Sequence, residues 1–316
     1  MHVAFGNPLV SIGLPVYNGE RDLPRAIDSL LAQDYYNFEI VISDNASTDN
    51  TRRICEEYAA RDARIKLSFN NTNIGIIANF ESVLEKASGK YFMWAAHDDF
   101  WSRSFVGSMV EELEGHSEAS VAMSAVQRLH ENGSAHDVVR FEGAKNPNSM
   151  TPFQLAMALA HGSPHHLFIY GLFRRDFLRR AFKNFPRVIA SDRLLMIQIA
   201  MSTRFRYADQ VLHTRLINDE PIAVRYKGEQ FGRVWHDRNA HLKKALATGP
   251  YLLQSQIIPW QRKFWIPIIV IWPPLRRLYY RIHRFFYWLA SRLLGQGGRR
   301  KRIVNYLKRL GDMNSR

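Results

Sequence analysis

The sequence predicts an α/β fold in which a mostly parallel, mixed sheet carries helices on both faces. Short apolar runs rich in β-branched residues alternate with segments of helical periodicity, which favours right-handed crossovers between parallel strands. Of the 316 residues, 46% are apolar and 23% are charged, so the chain is able to bury a large core and is not globally disordered. We therefore expect one Rossmann-like domain over residues 1–250.

The first part of the chain predicts four strands separated by helices. The strands are residues 9–17, 38–43, 65–69 and 91–96. Between the first two strands, Leu23, Ile27 and Leu30 recur at helical spacing, and Pro24 is tolerated because it falls in the first turn. Residues 44–49 predict the loop that caps the next helix, and residues 76–86 predict a third helix that ends at Gly89.

The pattern changes after residue 120. Residues 120–129 and 137–141 flank a turn at residues 131–134, which predicts a hairpin or a pair of strands in a mixed sheet. The further expected strands are residues 167–173 and 204–216, and the expected helices are residues 152–160, 175–182 and 192–201.

Cysteine content and apolar run length exclude several classes of protein. A single cysteine, Cys55, excludes an internal disulfide framework and a cysteine-based zinc site. No apolar run reaches the roughly 18 residues of a membrane-spanning helix, and residues 1–10 lack the pattern of a secretory signal. These features lead us to expect a protein of the reducing cytoplasm.

The net charge of +14 is concentrated in residues 251–316, where 14 Lys and Arg residues oppose a single acid, Asp312. An apolar, proline-containing run at residues 264–275 precedes residues 275–294, whose periodicity predicts an amphipathic helix with arginines opposite an aromatic-rich face. We expect this basic helical extension to bind the anionic cytoplasmic face of a membrane peripherally. The alternatives are docking onto the catalytic domain or a dimer seam; nucleic acid is less compatible with the continuous apolar face.

Polar side chains follow three of the predicted strands. Tyr17 and Asn18 follow the first strand, Asp44 follows the second, and Asp98 and Asp99 follow the fourth. Ligands of open parallel sheets bind beyond the carboxyl ends of the strands, and carboxylate oxygens suit Mg²⁺ or Mn²⁺. A divalent metal with a diphosphate is therefore a sensible partner, since the glycine-rich dinucleotide and P-loop motifs are both missing. Alternatively, the acid pair caps a helix that starts near residue 102.

Two runs carry a resemblance to a known family. They read PLVSIGLPVYNGERDLPRAIDSLLAQDYYNFEIVISDNASTDNT and NTNIGIIANFESVLEKASGKYFMWAAHDDFW. Together with the rest of the chain as far as about residue 220, they resemble family 2 glycosyltransferases. The resemblance implies a single GT-A type domain that binds a nucleotide-diphospho-sugar and transfers the sugar with inversion to a glycan or lipid-linked acceptor, as in polysaccharide biosynthesis. A UDP-sugar is preferred on family frequency, with dTDP and GDP sugars as alternatives.

The resemblance also implies roles for individual residues. Tyr17 would lie against the base, and Asp44 would accept a hydrogen bond from the base or ribose. Asp98 and Asp99 would hold Mg²⁺ or Mn²⁺ on the diphosphate, and Asp192 would be the catalytic base, although from the residues alone it reads as a helix N-cap. The implied donor-binding residues are Tyr17, Asn18, Asp44, Asn73, Asp98 and Arg193.

Two positions depart from the family pattern. Ala96 stands where the first acid of the metal motif is common, and Asn45 stands where a second acid often follows the second strand. His213 and Arg215 match positions where basic groups often lie near the diphosphate. The alternative to an enzyme is therefore a non-catalytic nucleotide-sugar-binding or scaffold protein in which Ala96 marks a decayed site.

A pair of tryptophans and a group of three histidines each allow more than one role. Trp94 and Trp101 flank the acid pair and suit either sugar stacking or packing. The histidines at residues 161, 165 and 166 suit contact with the acceptor better than metal binding, because a glycine and a proline place them in a loop.

Overall fold

The computed structural model describes residues 7–161, 164–186, 191–217 and 240–271. The chain divides into two compact units between Phe264 and Trp265, and each is described by itself. The predicted amphipathic helix at residues 275–294 lies outside the described residues. Within them, no helix has both the length and the apolar content needed to cross a membrane.

The described part of the first unit confirms the α/β class. Its strands are β1 (Val10–Val16), β2 (Phe38–Asp44), β3 (Ile65–Phe69), β4 (Tyr91–Trp94), β5 (Phe100–Trp101), β6 (Ala119–His130), β7 (Ala135–Val139), β8 (Leu172–Arg174) and β9 (Arg204–Ile217). They form one sheet in the order β3-β2-β1-β4-β8-β6-β9-β5, with β7 paired to β6. The first four strands and the β6–β9 pair are parallel, and the other pairs are antiparallel.

Helices join these strands and cover the sheet. They are α1 (Leu23–Leu31), α2 (Thr51–Arg61), α3 (Ile76–Lys86), α4 (Phe105–Glu114), α5 (Pro152–His161), α6 (Arg175–Phe182), α7 (Ser191–Ala200) and α8 (Ala240–Gln254). Short 3-10 helices occupy Gly143–Lys145, Pro147–Ser149, Pro164–Tyr170 and Trp260–Trp265. In the second unit, residues 266–271 are helical.

The core lies on both faces of β1 and β2, in which every residue is buried. This explains why both strands read as continuous apolar runs, as is usual for parallel strands covered on two faces. Gly13 shows how closely the layers approach, because an added Cβ would lie 2.6 Å from the ring of Phe92 and 2.8 Å from Val83. A side chain at this position would therefore push α3 away from the sheet.

The strand predicted at residues 167–173 is wrong over most of its length. Pro164–Tyr170 forms a 3-10 helix, and only Leu172–Arg174 pairs into the sheet as β8. Between them, a Cβ on Gly171 would lie 2.4 Å from the carbonyl oxygen of Ala122, so the backbones approach there as only a glycine permits. A short apolar run does not by itself distinguish a buried helical turn from a buried strand.

A buried carboxylate ties β1 and β2 to the turn before β4. Glu39 is 4% exposed, and its Oε1 accepts hydrogen bonds from the Ser11 hydroxyl at 2.5 Å and the Ser88 amide at 2.8 Å. Lys66 pairs with its other oxygen. Burial alone would raise the pKa of Glu39, but the hydrogen bonds from Lys66, Ser11 and Ser88 outweigh it and lower the pKa to about 2.

We expect Glu39→Gln to lower the free energy of unfolding by about 2 kcal/mol at pH 7. The reason is that the hydrogen bonds of the folded protein stabilise the ionised Glu39 carboxylate, which the variant lacks. This contribution is complete above the ordinary pKa of 4.5 and is lost as the pH falls towards 2. Urea unfolding, measured at several pH values from about 7 to about 3, gives the free energy of unfolding of both proteins. The difference between variant and wild type should become smaller below about pH 4.5. Glu57→Gln, at an exposed carboxylate, is the control; equal loss in both variants would contradict the account.

Candidate active site

A cavity of about 460 Å³ opens where the carboxyl ends of β1 and β4 meet the end of β9. It is lined by Pro15, Val16, Tyr17, Asn18, Gly19, Arg21, Asp22, Asn45, Ile76, Asn79, Phe80, Ala96, His97, Asp98, Asp99, Glu131, Tyr170, Arg215 and Leu216. The position is the usual one for ligands of open α/β sheets. Four of the predicted site residues, Tyr17, Asn18, Asp98 and Asp99, thus share one cavity.

The loop after β1 forms one wall and is fixed to the loop after β2. Asn18 has a positive φ of 48°, its amide donates to the Ser47 hydroxyl at 2.9 Å, and its side-chain oxygen accepts from the Thr48 amide at 2.8 Å. The Gly19 amide donates to the Thr51 hydroxyl at 2.8 Å. These contacts hold the left-handed turn that places Tyr17 beside the cavity.

Asp44 and Asn45 follow β2 but face different surroundings. Asp44 is buried, and its Oδ1 accepts from both the amide and the hydroxyl of Ser47, so it stabilises its own loop. Asp44 does not line the cavity, whereas Asn45 does. A role for Asp44 in binding the base or ribose stays a prediction.

Four asparagines form a hydrogen-bond network beside the cavity, and two of them, Asn45 and Asn79, line it. The Asn45 side chain donates to Asn73 Oδ1 at 2.8 Å, and its oxygen accepts from Asn70 Nδ2 at 3.2 Å and from the Ile74 amide at 2.9 Å. Asn79 donates to a β2 carbonyl at 2.9 Å and accepts from Asn70 at 3.1 Å. Asn73 therefore holds the loop before α3 and does not line the cavity; its predicted contact with the donor stays a prediction.

The two acids after β4 both line the cavity but differ in burial. Asp99 is 2% exposed; His213 Nε2 donates to its Oδ2 at 2.9 Å, and the Leu216 amide donates to its Oδ1 at 3.2 Å. Asp98 is half-buried and lines the cavity. Since α4 begins at Phe105 after Ser104 and the Asp99 carboxylate binds β9, Asp99 does not cap that helix.

Arg215 brings the predicted carboxylates into one electrostatic group. Its guanidinium carbon lies 5.6 Å from the centre of the Tyr170 ring. Burial lowers the pKa of Arg215, but attraction from Tyr170, Asp99, Asp98 and Asp192 outweighs that effect and raises the pKa above its ordinary value. A guanidinium therefore lies at the cavity, and acids from the loop after β4 and from the start of α7 favour its charged form.

Asp192 and Arg193 lie at the start of α7. Asp192 is half-buried in the first helical turn and does not line the cavity, although its charge acts on Arg215. The buried Nε of Arg193 has no hydrogen-bond partner among the residues that the structure describes. The roles of both residues stay predictions.

The structure adds a rim contact that the sequence did not indicate. Arg21, after β1, forms an ion pair at 3.2 Å with Glu131 in the β6–β7 turn, and both residues line the cavity. Hydrogen bonds with Glu131 and Asp22 raise the pKa of Arg21 above its ordinary value. No local signal predicts the Glu131 contact, because the partners are 110 residues apart.

The ambiguous aromatic residues belong to the packing. Trp94 is fully buried and donates from its indole to the Phe80 carbonyl at 3.0 Å, and Trp101 is only 4% exposed. His161 Nδ1 lies 2.7 Å from the Met157 carbonyl, while the side chains at 165 and 166 lie outside the described part of the chain. Packing is therefore favoured over sugar stacking for both tryptophans.

The donor atoms present fit a divalent cation that is shared with a ligand. No group of three or more His, Cys, Asp or Glu in the described ranges is arranged to hold a metal on its own. Mg²⁺, however, is commonly bound by one or two carboxylates with phosphate and water completing the shell. Asp98 lines a cavity with room for that ligand.

A family model described as "Glycosyl transferase family 2" matches residues 11–182. The chain belongs to glycosyl transferase family 2. The match covers β1 through α6, and so includes the loops that carry Tyr17, Asp44, Asp98 and Asp99.

Named relatives agree with this membership over part of their length. The putative glycosyltransferase EpsE of Bacillus subtilis is 37% identical over 127 residues, which are 40% of this chain and 46% of the relative. The putative teichuronic acid biosynthesis glycosyltransferase TuaG of the same organism is 33% identical over 117 residues, 37% of this chain and 45% of the relative. The chain thus spans less than half the length of these relatives.

Solved structures share the fold. TarS of S. aureus in complex with UDP superposes with a TM-score of 0.60 and 18% identity, covering 85% of this chain and 72% of that one. The mannosyltransferase PcManGT of Pyrobaculum calidifontis, in complex with GDP-Man and Mn²⁺, gives a TM-score of 0.52 and 18% identity, covering 95% and 84%. These likenesses confirm the GT-A-like architecture of the chain.

Proposed function

We propose that this family 2 chain transfers a sugar from a nucleotide-diphospho-sugar to a hydroxyl acceptor, with metal assistance and inversion at the anomeric carbon. The observation that carries the proposal is the position of Arg215 at the cavity, with Asp98, Asp99 and Asp192 acting on its charge. A nucleotide diphosphate brings negative charge that a cation and a guanidinium together are able to balance.

The donor would lie along the carboxyl edge of β1, β2 and β4. Tyr17 would pack against the base and Asn18 would line the same wall, while Asp44 and Asn73 would act on the base or ribose after a local rearrangement of their loops. A UDP-sugar is our first choice, with dTDP and GDP sugars as alternatives. The choice is supported by UDP and UDP-GlcNAc in TarS structures and by GDP-Man in PcManGT.

Asp98 would hold Mg²⁺ or Mn²⁺ against the diphosphate. Asp99, the second metal ligand that the resemblance implies, would support Asp98 from its contacts with His213 and the Leu216 amide. When bound, the cation acts as a Lewis acid that stabilises charge developing on the leaving nucleotide. Arg215, which also lines the cavity, would add a positive charge, and Arg193 would add another from α7. Mn²⁺ in the PcManGT structure supports the use of a divalent ion.

Asp192 would act as the base that removes the proton from the acceptor hydroxyl as the new bond forms. A positioned carboxylate contributes about 10²–10⁴-fold to such a step. Inversion requires attack from the face opposite the leaving group, so the base must lie across the sugar from the diphosphate. Asp192 would have to approach the sugar from that side, at the start of α7.

A non-catalytic nucleotide-sugar-binding or scaffold protein is the second candidate, and Ala96 is the observation in its favour. This position lines the cavity and lacks the acid that commonly begins the metal motif, so the protein supplies fewer ligands there. Donor binding without turnover would distinguish this candidate from the enzyme.

The acceptor would be a glycan or a lipid-linked glycan at the cytoplasmic face of the membrane. In the first unit, Trp260 and Phe264 are 68% and 74% exposed beside Arg262 and Lys263. Aromatic and basic side chains together suit the boundary of an anionic membrane. The basic extension would add attraction of about 1 kcal/mol per charge close to such a surface.

A panel of UDP-, dTDP- and GDP-sugars should raise the melting temperature of the protein with one base preferred, and more strongly with Mn²⁺ than with EDTA. Binding adds stability to the folded state by mass action, so the shift should grow with ligand concentration. Differential scanning fluorimetry measures this. No shift with any nucleotide sugar, with or without metal, would contradict the proposed site.

We expect Asp192→Asn to lower kcat by at least about 100-fold while donor affinity stays within about 2-fold, because the variant loses the base and keeps the shape. Release of the nucleoside diphosphate with membrane extract as acceptor measures turnover. Asp176→Asn is the matched control, since Asp176 occupies the first turn of α6 and is exposed. Full activity of Asp192→Asn, or equal loss in the control, would exclude this base.

Removal of residues 272–316 should release the protein from vesicles of anionic phospholipid, because it deletes most of the basic charge of the extension. Cosedimentation measures binding, with vesicles of zwitterionic lipid as the control for purely apolar attachment. Nucleotide binding should be unchanged. Unchanged cosedimentation of the shortened chain with anionic vesicles would contradict the membrane proposal.

A further inference from the structure

We propose that His213 is a positioning residue, which fixes Asp99 and thereby sets the distance between Asp98 and Arg215. The inference rests on the proposed function, because it gives these two residues the metal and the diphosphate to hold. In this arrangement Asp99 holds the loop after β4 in place, and Asp98 is the carboxylate that contacts the bound metal and diphosphate.

Asp99 is held by hydrogen bonds on both sides of its carboxylate. Its two carboxylate oxygens bind two different donors of one strand, His213 Nε2 at 2.9 Å and the Leu216 amide at 3.2 Å. An ionised carboxylate only accepts hydrogen bonds, so His213 is the donor in this pair. The side chains of His213 and Asp99 are almost completely buried, with 0% and 2% exposed. Hydrogen bonds to an ionised group are stronger than those between neutral groups, so these two contacts restrain the Asp99 carboxylate.

Aromatic neighbours restrain the imidazole ring of His213. Trp101 stacks on it with the ring centres 5.3 Å apart and the planes at 1°, while Phe105 and Tyr170 lie at 6.5 Å and 5.9 Å. The buried Nδ1 has no hydrogen-bond partner in the part of the chain that the structure describes. The aromatic contacts therefore hold the ring in one plane and aim Nε2 at Asp99.

Strand pairing connects Asp99 and His213 to the cavity. Strand β5 follows directly after Asp99 and pairs with β9, with Phe100 opposite Thr214 and Trp101 opposite His213. Arg215 lies two residues along β9 from His213. Residues 99–101 therefore contact β9 next to Arg215 and directly follow Asp98. Loss of the His213 contact should let the distance between Asp98 and Arg215 vary.

The same geometry argues against His213 as a metal ligand. Its Nε2 is already bound to Asp99, its ring has no exposed surface, and it does not line the cavity. Removal of partners that orient a metal ligand commonly lowers metal affinity or activity by 10–100-fold. We expect an effect of that size, with the ion and the nucleotide both affected.

The experiment compares His213→Phe, His213→Gln and Phe105→Leu. Phe keeps a flat ring on Trp101 and removes the donor, whereas Gln supplies an amide donor. Phe105→Leu disturbs the same aromatic packing without touching Asp99. Isothermal titration with Mn²⁺, in the presence of the nucleoside diphosphate that the thermal panel selects, should show about 10–100-fold weaker Mn²⁺ binding for His213→Phe. His213→Gln should lie closer to wild type, and Phe105→Leu should bind as wild type does.

The results separate the two proposals. If wild type binds no nucleoside diphosphate with Mn²⁺, the proposed function fails. If wild type binds and His213→Phe binds equally well, or Phe105→Leu loses as much affinity, the positioning role is overturned. Should His213→Phe fail to fold, a double-mutant cycle of His213→Gln and Asp99→Asn replaces it. Effects on Mn²⁺ affinity that are not additive support the role, and additive effects overturn it.

Discussion

The contact between Asp99 and β9 is the constraint on which the candidate site depends. Two adjacent acids at the end of a buried strand are costly unless donors or a cation meet them. His213 and the Leu216 amide satisfy Asp99 inside the protein, which leaves Asp98 at the cavity. The same strand brings Arg215 to that cavity. One buried interaction thus ties the loop after β4 to β9 and holds Asp98 and Arg215 at the same cavity.

Asn45, one of the two departures from the family pattern, has a physical explanation in the structure. Its side chain donates to Asn73 and accepts from Asn70 and the Ile74 amide. A carboxylate only accepts hydrogen bonds, so an acid at this position would lose the contact to Asn73. The amide therefore suits a wall that is built from asparagines. Nothing in the described structure gives a comparable reason for Ala96.

The sequence predicts the first four strands because strands buried on two faces are mostly apolar. It predicts the hairpin because turn residues separate two strand-like runs. The four strands at residues 9–17 to 91–96 match β1 to β4 closely, and β6 and β7 pair antiparallel across the expected turn. The two-residue strand β5 is too short to leave a periodic pattern. The sequence does not predict the pair of Asp99 and His213 either, because the two residues are 114 positions apart and meet only where β5 pairs with β9.

A crystal structure of the protein with the preferred nucleoside diphosphate and Mn²⁺ tests the central claim most directly. The account requires the diphosphate in the cavity, the metal on Asp98, and the Arg215 guanidinium within hydrogen-bond distance of a phosphate oxygen, with Asp99 still bound to His213. A diphosphate bound away from this cavity, or an Asp98 turned from the ion, would contradict the account.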